Sequence, residues 1–266
     1  MKLLHSALFS AALSVALTLP ATTVLAAPAA AAVKPTVVLV HGAFADASSW
    51  DGVTARLLAH GYPVVGVANP LRGVASDAAV VAGIVKNITG PVVLVGHSYG
   101  GSVIAQAAIG KDKVKSLVFV SAFAPDAGES AFDLTGKFPG STLPPTLAAP
   151  VALAHGGVDL YIRQDKFPQQ FAADVPLAKA ALMAAGQRPV AEAALKEAAG
   201  EPAWKTVPSW FVYGKRDKNI PPAALAFMAE RAHSRHTVAI EGASHVVMTS
   251  HPAAVAALIE EAAAAR

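Results

Sequence analysis

Residues 91–101 read Pro-Val-Val-Leu-Val-Gly-His-Ser-Tyr-Gly-Gly, and this stretch passes from a strand-like run through a tight turn into a helix-like run. The apolar run at 92–95 has the pattern of a buried strand, and the residues after the turn have that of a buried helix. In this context G-x-S-x-G is typical of a nucleophile elbow, where Gly96 and Gly100 let the turn close around a serine in a strained backbone conformation. The pattern predicts that Ser98 is a nucleophile. The alternative is an ordinary glycine-rich turn in which the serine only caps the helix.

Strand-like and helix-like segments alternate along most of the chain. Helices are predicted at 50–60 and at 76–87, the second with Ser76 as its cap. Apolar, β-branched runs predict strands at 36–40, 64–68, 92–95, 114–120, 209–213 and 236–240. Repeated alternation of this kind predicts an α/β fold with a mostly parallel, doubly wound sheet.

The regular alternation lapses between residues 124 and 205. Prolines and glycines cluster at 138–150, and alanine-rich helical stretches follow at 177–185 and 190–199. An insertion after the strand 114–120 would cover the carboxyl edge of the sheet, where ligands bind in such folds. We therefore predict a helical cap over about residues 124–205.

The first 26 residues predict a secretory signal peptide. Lys2 precedes an apolar stretch at 7–19, and small residues lead to Ala26. The apolar stretch is too short for a stable membrane span. Cleavage after Ala26 would leave one domain at 27–266, and we expect that domain to be secreted or periplasmic.

Composition excludes several classes of function. The chain has no cysteine, which rules out disulfides, a thiolate nucleophile and zinc–cysteine sites. The net charge is only +3 and the basic residues are scattered, so a nucleic-acid partner is not expected. The nine histidines lack metal-ligand spacing, and no dinucleotide-binding or P-loop glycine pattern is present. We expect no metal and no cofactor, and the sequence makes no prediction of an oligomeric state.

Two segments near the carboxyl end supply partners for the predicted nucleophile. A serine hydroxyl needs a histidine to take its proton and a carboxylate to hold that histidine. Asp217 follows the strand 209–213, and His245 follows the strand 236–240, so both are expected at the same sheet edge as Ser98. The alternatives are Asp126 for the acid and His233, His236 or His251 for the base.

The turn after the first strand is the other predicted part of the site. An oxyanion formed on attack by a serine needs preorganised N–H donors, and the backbone amides of Tyr99 and Ala43 are the candidates. Gly42 would let that backbone approach the elbow closely. The neighbouring His41 is expected to make local hydrogen bonds, and His97 is expected to point away from the nucleophile.

Four motifs together resemble a known family: Val-Leu-Val-His-Gly-Ala at 38–43, Gly-His-Ser-Tyr-Gly-Gly at 96–101, Tyr-Gly-Lys-Arg-Asp at 213–217 and Gly-Ala-Ser-His at 242–245. The chain resembles the α/β-hydrolases. Within them it is similar to the compact branch of plant methylesterases and hydroxynitrile lyases and to bacterial secreted esterase-like proteins.

The resemblance implies catalytic roles for Ser98, Asp217 and His245, oxyanion contacts from the Ala43 and Tyr99 amides, and an acyl-serine mechanism without a cofactor. The chain departs from the plant enzymes at Phe44, where they usually have cysteine, and this residue is a candidate substrate contact. The expected activity is hydrolysis of small to medium apolar esters, with a small-molecule ester as substrate. A carbon–carbon lyase using the same residues and a ligand-binding protein with very slow turnover are the alternatives.

Overall fold

The computed structural model describes residues 33–265 of the chain. The predicted signal peptide and its cleavage site lie outside the described residues. Between residues 33 and 265 no helix is long and apolar enough to cross a membrane.

A six-stranded sheet forms the centre of the fold, and a three-stranded sheet lies in the insertion. In chain order the strands are β1 (Thr36–Val40), β2 (Val64–Val67), β3 (Val92–His97), β4 (Val114–Val120), β5 (Val151–Ala152), β6 (Val158–Leu160), β7 (Val190–Ala191), β8 (Ser209–Gly214) and β9 (His236–Ile240). The large sheet has the order β2-β1-β3-β4-β8-β9, and all its neighbouring pairs are parallel. The predicted α/β class and parallel sheet are confirmed.

Helices flank this sheet. In chain order they are α1 (Asp51–Ala59), α2 (Val74–Asn87), α3 (Tyr99–Ala107), α4 (Ala131–Lys137), α5 (Phe167–Phe171), α6 (Leu177–Ala185), α7 (Glu192–Lys196), α8 (Pro222–Arg231), α9 (Val247–Ser250) and α10 (Pro252–Ala264). Helix α1 packs against α10, and α2 packs against α3. The central strand β3 is buried at every residue, which explains its nearly unbroken apolar sequence.

The start of α2 differs from the prediction. The helix begins at Val74 and not at the predicted cap Ser76, whose hydroxyl donates to Gly73 O at 3.0 Å. The carboxylate of Glu197, from the far end of the insertion, accepts from the N–H groups of Val74 at 2.7 Å and Ala75 at 3.0 Å. A carboxylate satisfies free N–H groups and is favoured by the helix dipole, so a distant residue replaces the local cap.

The insertion between β4 and β8 contains four helices and the small antiparallel sheet. The predicted helix at Leu177–Ala185 is confirmed as α6. The helix predicted at 190–199 is wrong in its first and last parts, because Val190–Ala191 forms β7 and only Glu192–Lys196 is helical. Pairing of β7 with β6 supplies hydrogen bonds that the alanine-rich pattern does not reveal. We call residues 124–205 the cap.

Candidate active site

The turn between β3 and α3 has the geometry of a nucleophile elbow. Ser98 adopts φ 53° and ψ −124°, a strained conformation for a residue with a side chain. A Cβ atom on Gly96 would lie 2.5 Å from the Gly100 carbonyl oxygen, and one on Gly100 would lie 2.5 Å from Val40 O. Both positions therefore require glycine, as the motif predicts, and the close packing holds the serine at the sheet edge.

The loops after β8 and β9 bring a carboxylate and a histidine together. His245 Nδ1 donates to Asp217 Oδ2 at 2.6 Å, and both side chains are buried. Asp217 Oδ1 accepts from the N–H groups of Asn219 at 2.8 Å and Ile220 at 3.0 Å. At the end of β8, a Cβ on Gly214 would collide with carbonyl oxygens of the loop that carries His245. Because Gly214 has no side chain, the two loops can lie in direct contact.

The second ring nitrogen of His245 is available for proton transfer. Because Nδ1 donates to the carboxylate, Nε2 carries the lone pair of the neutral imidazole. This Nε2 atom is buried and has no hydrogen-bond partner among the described residues. His245 and Ser98 line the same cavity. The arrangement has the parts of a general base beside a hydroxyl.

A second histidine, His97, packs against His245. The rings of His97 and His245 have centroids 4.7 Å apart, and His97 Nε2 donates to His245 O at 3.3 Å. Burial, and after it the neighbouring His245 ring, holds the pKa of His97 well below its usual value, so this side chain is neutral. Strand alternation predicts that His97 faces away from Ser98, but it does not reveal which loop packs on that face.

A third histidine anchors the turn after β1. His41 Nδ1 donates to Gly42 O at 3.0 Å, and Asn69 donates its N–H to His41 Nε2 at 3.1 Å and its Nδ2 to His41 O at 2.9 Å. Burial lowers the pKa of His41. The expected local bond to Gly42 is present, and Asn69, which follows the next strand, adds two non-local bonds. These bonds fix the backbone on which Ala43 lies.

The candidate oxyanion donors lie where this turn meets the elbow. A Cβ on Gly42 would lie 2.6 Å from Ser98 Cβ, so the turn packs against the candidate nucleophile. Tyr99 is the first residue of α3, and its N–H therefore has no acceptor within the helix. The N–H of Phe44 donates to a backbone carbonyl of the cap at 3.1 Å. The amides of Ala43 and Tyr99 remain the candidates.

A cavity of about 640 Å³ opens above these residues, and most of its wall belongs to the cap. The phenylalanines of its lining are Phe44, Phe123, Phe132, Phe138 and Phe171. The wall includes Phe44, the predicted substrate contact. Phe171 was not predicted from the sequence; its ring centroid lies 6.2 Å from that of Phe44 and 5.0 Å from that of His245. An aromatic residue in an alanine-rich cap gives no signal that it packs on the site.

The rival residues lie elsewhere. Asp126 forms an exposed ion pair with Lys205 at 2.6 Å, which lowers the pKa of this carboxyl. The other candidate histidines, His233, His236 and His251, are absent from the cavity lining. In the described part of the chain no group of three or more histidine or carboxylate side chains could hold a metal ion.

Known proteins share this architecture. Polyneuridine aldehyde esterase superposes with a TM-score of 0.74 at 20% identity, over 86% of this chain and 98% of that one. A variant of tomato methylketone synthase I superposes with a TM-score of 0.72 at 21% identity, over 88% and 99%. An extracellular α/β-hydrolase of a Paenibacillus species superposes with a TM-score of 0.68 at 24% identity, over 86% and 98%. These likenesses establish the fold.

Sequence comparison adds the family. A probable hydrolase, R7, of a Phoma species is 36% identical over 118 residues, which cover 39% of this chain and 48% of the relative. The match thus spans about half the length of that relative. The model of the alpha/beta hydrolase family matches residues 37–258. The chain therefore belongs to the alpha/beta hydrolase family.

Proposed function

We propose that the protein is a serine hydrolase that cleaves carboxylic esters of apolar molecules. The observation that carries the proposal is the buried Asp217–His245 pair, whose free Nε2 borders the same cavity as the strained Ser98. In the first half-reaction the serine Oγ attacks the ester carbonyl carbon while His245 Nε2 takes the hydroxyl proton. The histidine returns that proton to the departing alkoxide, which leaves as the alcohol.

The second half-reaction repeats these steps with water. His245 takes a proton from water, the hydroxide attacks the acyl carbonyl, and the Ser98 oxygen leaves with the proton as the free acid forms. Asp217 keeps the imidazole in one tautomer and stabilises its charged form. The amides of Ala43 and Tyr99 donate to the oxyanion in both halves. No cofactor is needed for this sequence of steps.

The cavity supports a choice among esters. Pockets of about 300–1,000 Å³ accommodate drug-sized ligands, and the volume of about 640 Å³ lies within this range. Its apolar wall favours substrates with an extended hydrocarbon or aromatic part. We propose medium-sized apolar esters as preferred substrates over acetates. Export to the periplasm or the medium is a further proposal that rests on residues 1–26 alone.

The test is hydrolysis of p-nitrophenyl esters from acetate to dodecanoate by the mature chain. We expect kcat/KM to rise from acetate to medium chains, and Ser98→Ala to abolish turnover. Ser102→Ala is the matched control, because its buried hydroxyl lies in α3 and has no hydrogen-bond partner among the described residues. It should retain full activity. Ester turnover that survives in folded Ser98→Ala would overturn the proposal, and so would a folded wild-type protein without turnover, which would favour the lyase or binding alternatives.

A further inference from the structure

The cap is hydrogen-bonded to the loop that carries the Asp217 carboxylate. We call residues 215–220, which follow β8, the acid loop. Gln170, in the cap helix α5, is buried, with only 4% of its surface exposed. Its Nε2 donates to Lys218 O at 2.9 Å and to Asn219 Oδ1 at 3.1 Å. Its Oε1 accepts from Thr142 Oγ1 at 2.8 Å.

The hydrogen bonds of this amide favour one orientation. Both of its N–H hydrogens have acceptors in the acid loop, and a flip would place Oε1 against the carbonyl oxygen of Lys218, acceptor against acceptor. Two backbone contacts reinforce the junction. Asn219 Nδ2 donates to Gln170 O at 3.3 Å, and Thr142 N–H donates to Lys218 O at 2.9 Å. The cap and the acid loop therefore meet at a contact in which the buried Gln170 and Asn219 are bonded to each other and Gln170 is bonded to the exposed Thr142 and Lys218.

The bonds continue from this contact to the histidine. The side-chain oxygen of Asn219 accepts from Gln170, and the backbone N–H of Asn219 donates to Asp217 Oδ1 at 2.8 Å. The other oxygen of that carboxylate accepts from His245 at 2.6 Å. A shift of Asn219 would thus rotate the carboxylate that orients the imidazole. An unbroken series of hydrogen bonds, 3.1, 2.8 and 2.6 Å long, connects the cap to the candidate general base.

We propose that Gln170 is a positioning residue: through Lys218 and Asn219 it fixes the acid loop, and with it the Asp217–His245 pair. This rests on the proposed function, in which that pair activates the nucleophile. The cap then has two tasks. It lines the substrate cavity, and it completes the alignment of residues that lie on the sheet edge.

The variant that tests this is Gln170→Met, which keeps the length and neutrality of the side chain and removes all three of its hydrogen bonds. The matched control is Gln106→Met. Gln106 also donates its Nε2 to two oxygens, Gly200 O at 3.1 Å and Glu201 O at 3.3 Å, but both of these acceptors lie in the cap and not in the acid loop. Both variants are first compared with the wild type by circular dichroism.

Two readouts separate positioning from a general loss of stability. The first is the far-downfield proton resonance expected of the short Nδ1–H···Oδ2 bond between His245 and Asp217, which needs no turnover. The second is the division of the effect between kcat and KM with a p-nitrophenyl ester. In Gln170→Met we expect the resonance to move upfield or broaden and kcat to fall on the order of 10- to 100-fold, with KM nearly unchanged. Gln106→Met should match the wild type in both.

The proposal is overturned if folded Gln170→Met keeps the wild-type resonance and kcat, or if Gln106→Met loses them equally. If Gln170→Met does not fold, Thr142→Val decides, because it removes only the bond to Gln170 Oε1. A displaced resonance in that variant supports the proposal, and an unchanged one overturns it. A wild type without ester turnover would defeat the proposed function, while the resonance would still report on Gln170.

Discussion

The sheet edge and the cap build the same site by different means. At the sheet edge, Ser98, Asp217 and His245 follow the carboxyl ends of three strands of one parallel sheet, β3, β8 and β9, and glycine contacts and backbone hydrogen bonds hold them. The cap contributes mostly apolar side chains that surround a cavity of about 640 Å³. Strand topology and close backbone contacts therefore place the chemical groups, whereas the side chains of the cap set the size of the cavity and what can enter it.

The contrast predicts two kinds of mutational effect. Changes at the sheet edge should reduce turnover of every ester, because they misplace reacting groups. Changes in the cap wall should discriminate between esters, because they alter the space beyond the reacting carbonyl. Gln170 is the exception that joins the two regions.

The largest effect is expected for Asp217→Asn. The amide cannot hold the imidazole in the same tautomer or stabilise its charged form, so kcat should fall about 10⁴-fold for all esters. Steady-state rates with acetate and octanoate esters measure it. Asp126→Asn is the control, since this carboxylate pairs with Lys205 outside the cavity. Equal losses of kcat in the two variants would contradict the choice of Asp217 over Asp126 as the carboxylate that orients the histidine.

A smaller loss is expected for Gly42→Ala. The added Cβ would lie 2.6 Å from His97 O and from Ser98 Cβ, which forces the turn that carries the candidate oxyanion amide away from the elbow. We expect kcat to fall about 10²- to 10³-fold. Gly83→Ala, in α2, meets nothing within 4 Å and should leave kcat unchanged while stabilising the fold by roughly 0.5–1 kcal/mol. Full activity in Gly42→Ala would contradict the close approach.

In the cap, Leu147→Trp should act on selectivity. The indole would fill part of the cavity that Leu147 lines, so kcat/KM for decanoate should fall about 10-fold while that for acetate stays the same. The control is Leu182→Trp on the outside of the cap, where the leucine is 75% exposed. If kcat/KM fell equally for both esters, Leu147 would contribute to the alignment of the reacting groups and not to substrate selectivity.

The smallest effect concerns the pH dependence of stability. Burial lowers the pKa of His97 in the folded state, so below the unfolded value of about 6.5 only the unfolded chain binds the proton. The free energy of unfolding should therefore fall as pH drops below 6.5, by up to about 1.4 kcal/mol per pH unit for this histidine.

Urea unfolding between pH 5 and pH 7 measures that slope. His97→Phe should reduce it, and His155→Gln, on the exposed surface of the cap, should not. The remaining slope is expected in part from His41, whose pKa burial also lowers. An identical slope in His97→Phe and the wild type would show that His97 is not held neutral.

The sequence predicted the sheet edge well because its signals are local. A β-branched run followed by glycine marks both a strand end and the loop beyond it, so the chain order of Ser98, Asp217 and His245 leads to one edge of the sheet. The strands at Thr36–Val40, Val114–Val120 and His236–Ile240 match their predicted bounds.

Several contacts and one strand of the cap were not predicted, because they depend on residues that are distant in the sequence. Glu197 caps α2 from 122 and 123 residues away in the chain. Val190–Ala191 forms a strand only because β6 is beside it. Gln170 and Phe171 contact the site because the insertion folds back over the edge of the sheet. Alanine-rich periodicity indicates helix formation, and it does not indicate which face of the helix packs on the acid loop.

The most direct test of the central claim is to treat the mature protein with a fluorophosphonate and locate the adduct by peptide mass spectrometry. We predict one phosphonyl group on Ser98, formed rapidly in the wild type and much more slowly in His245→Ala. No adduct on the folded protein, an adduct on another residue, or an equal rate in His245→Ala would contradict a serine nucleophile activated by the Asp217–His245 pair.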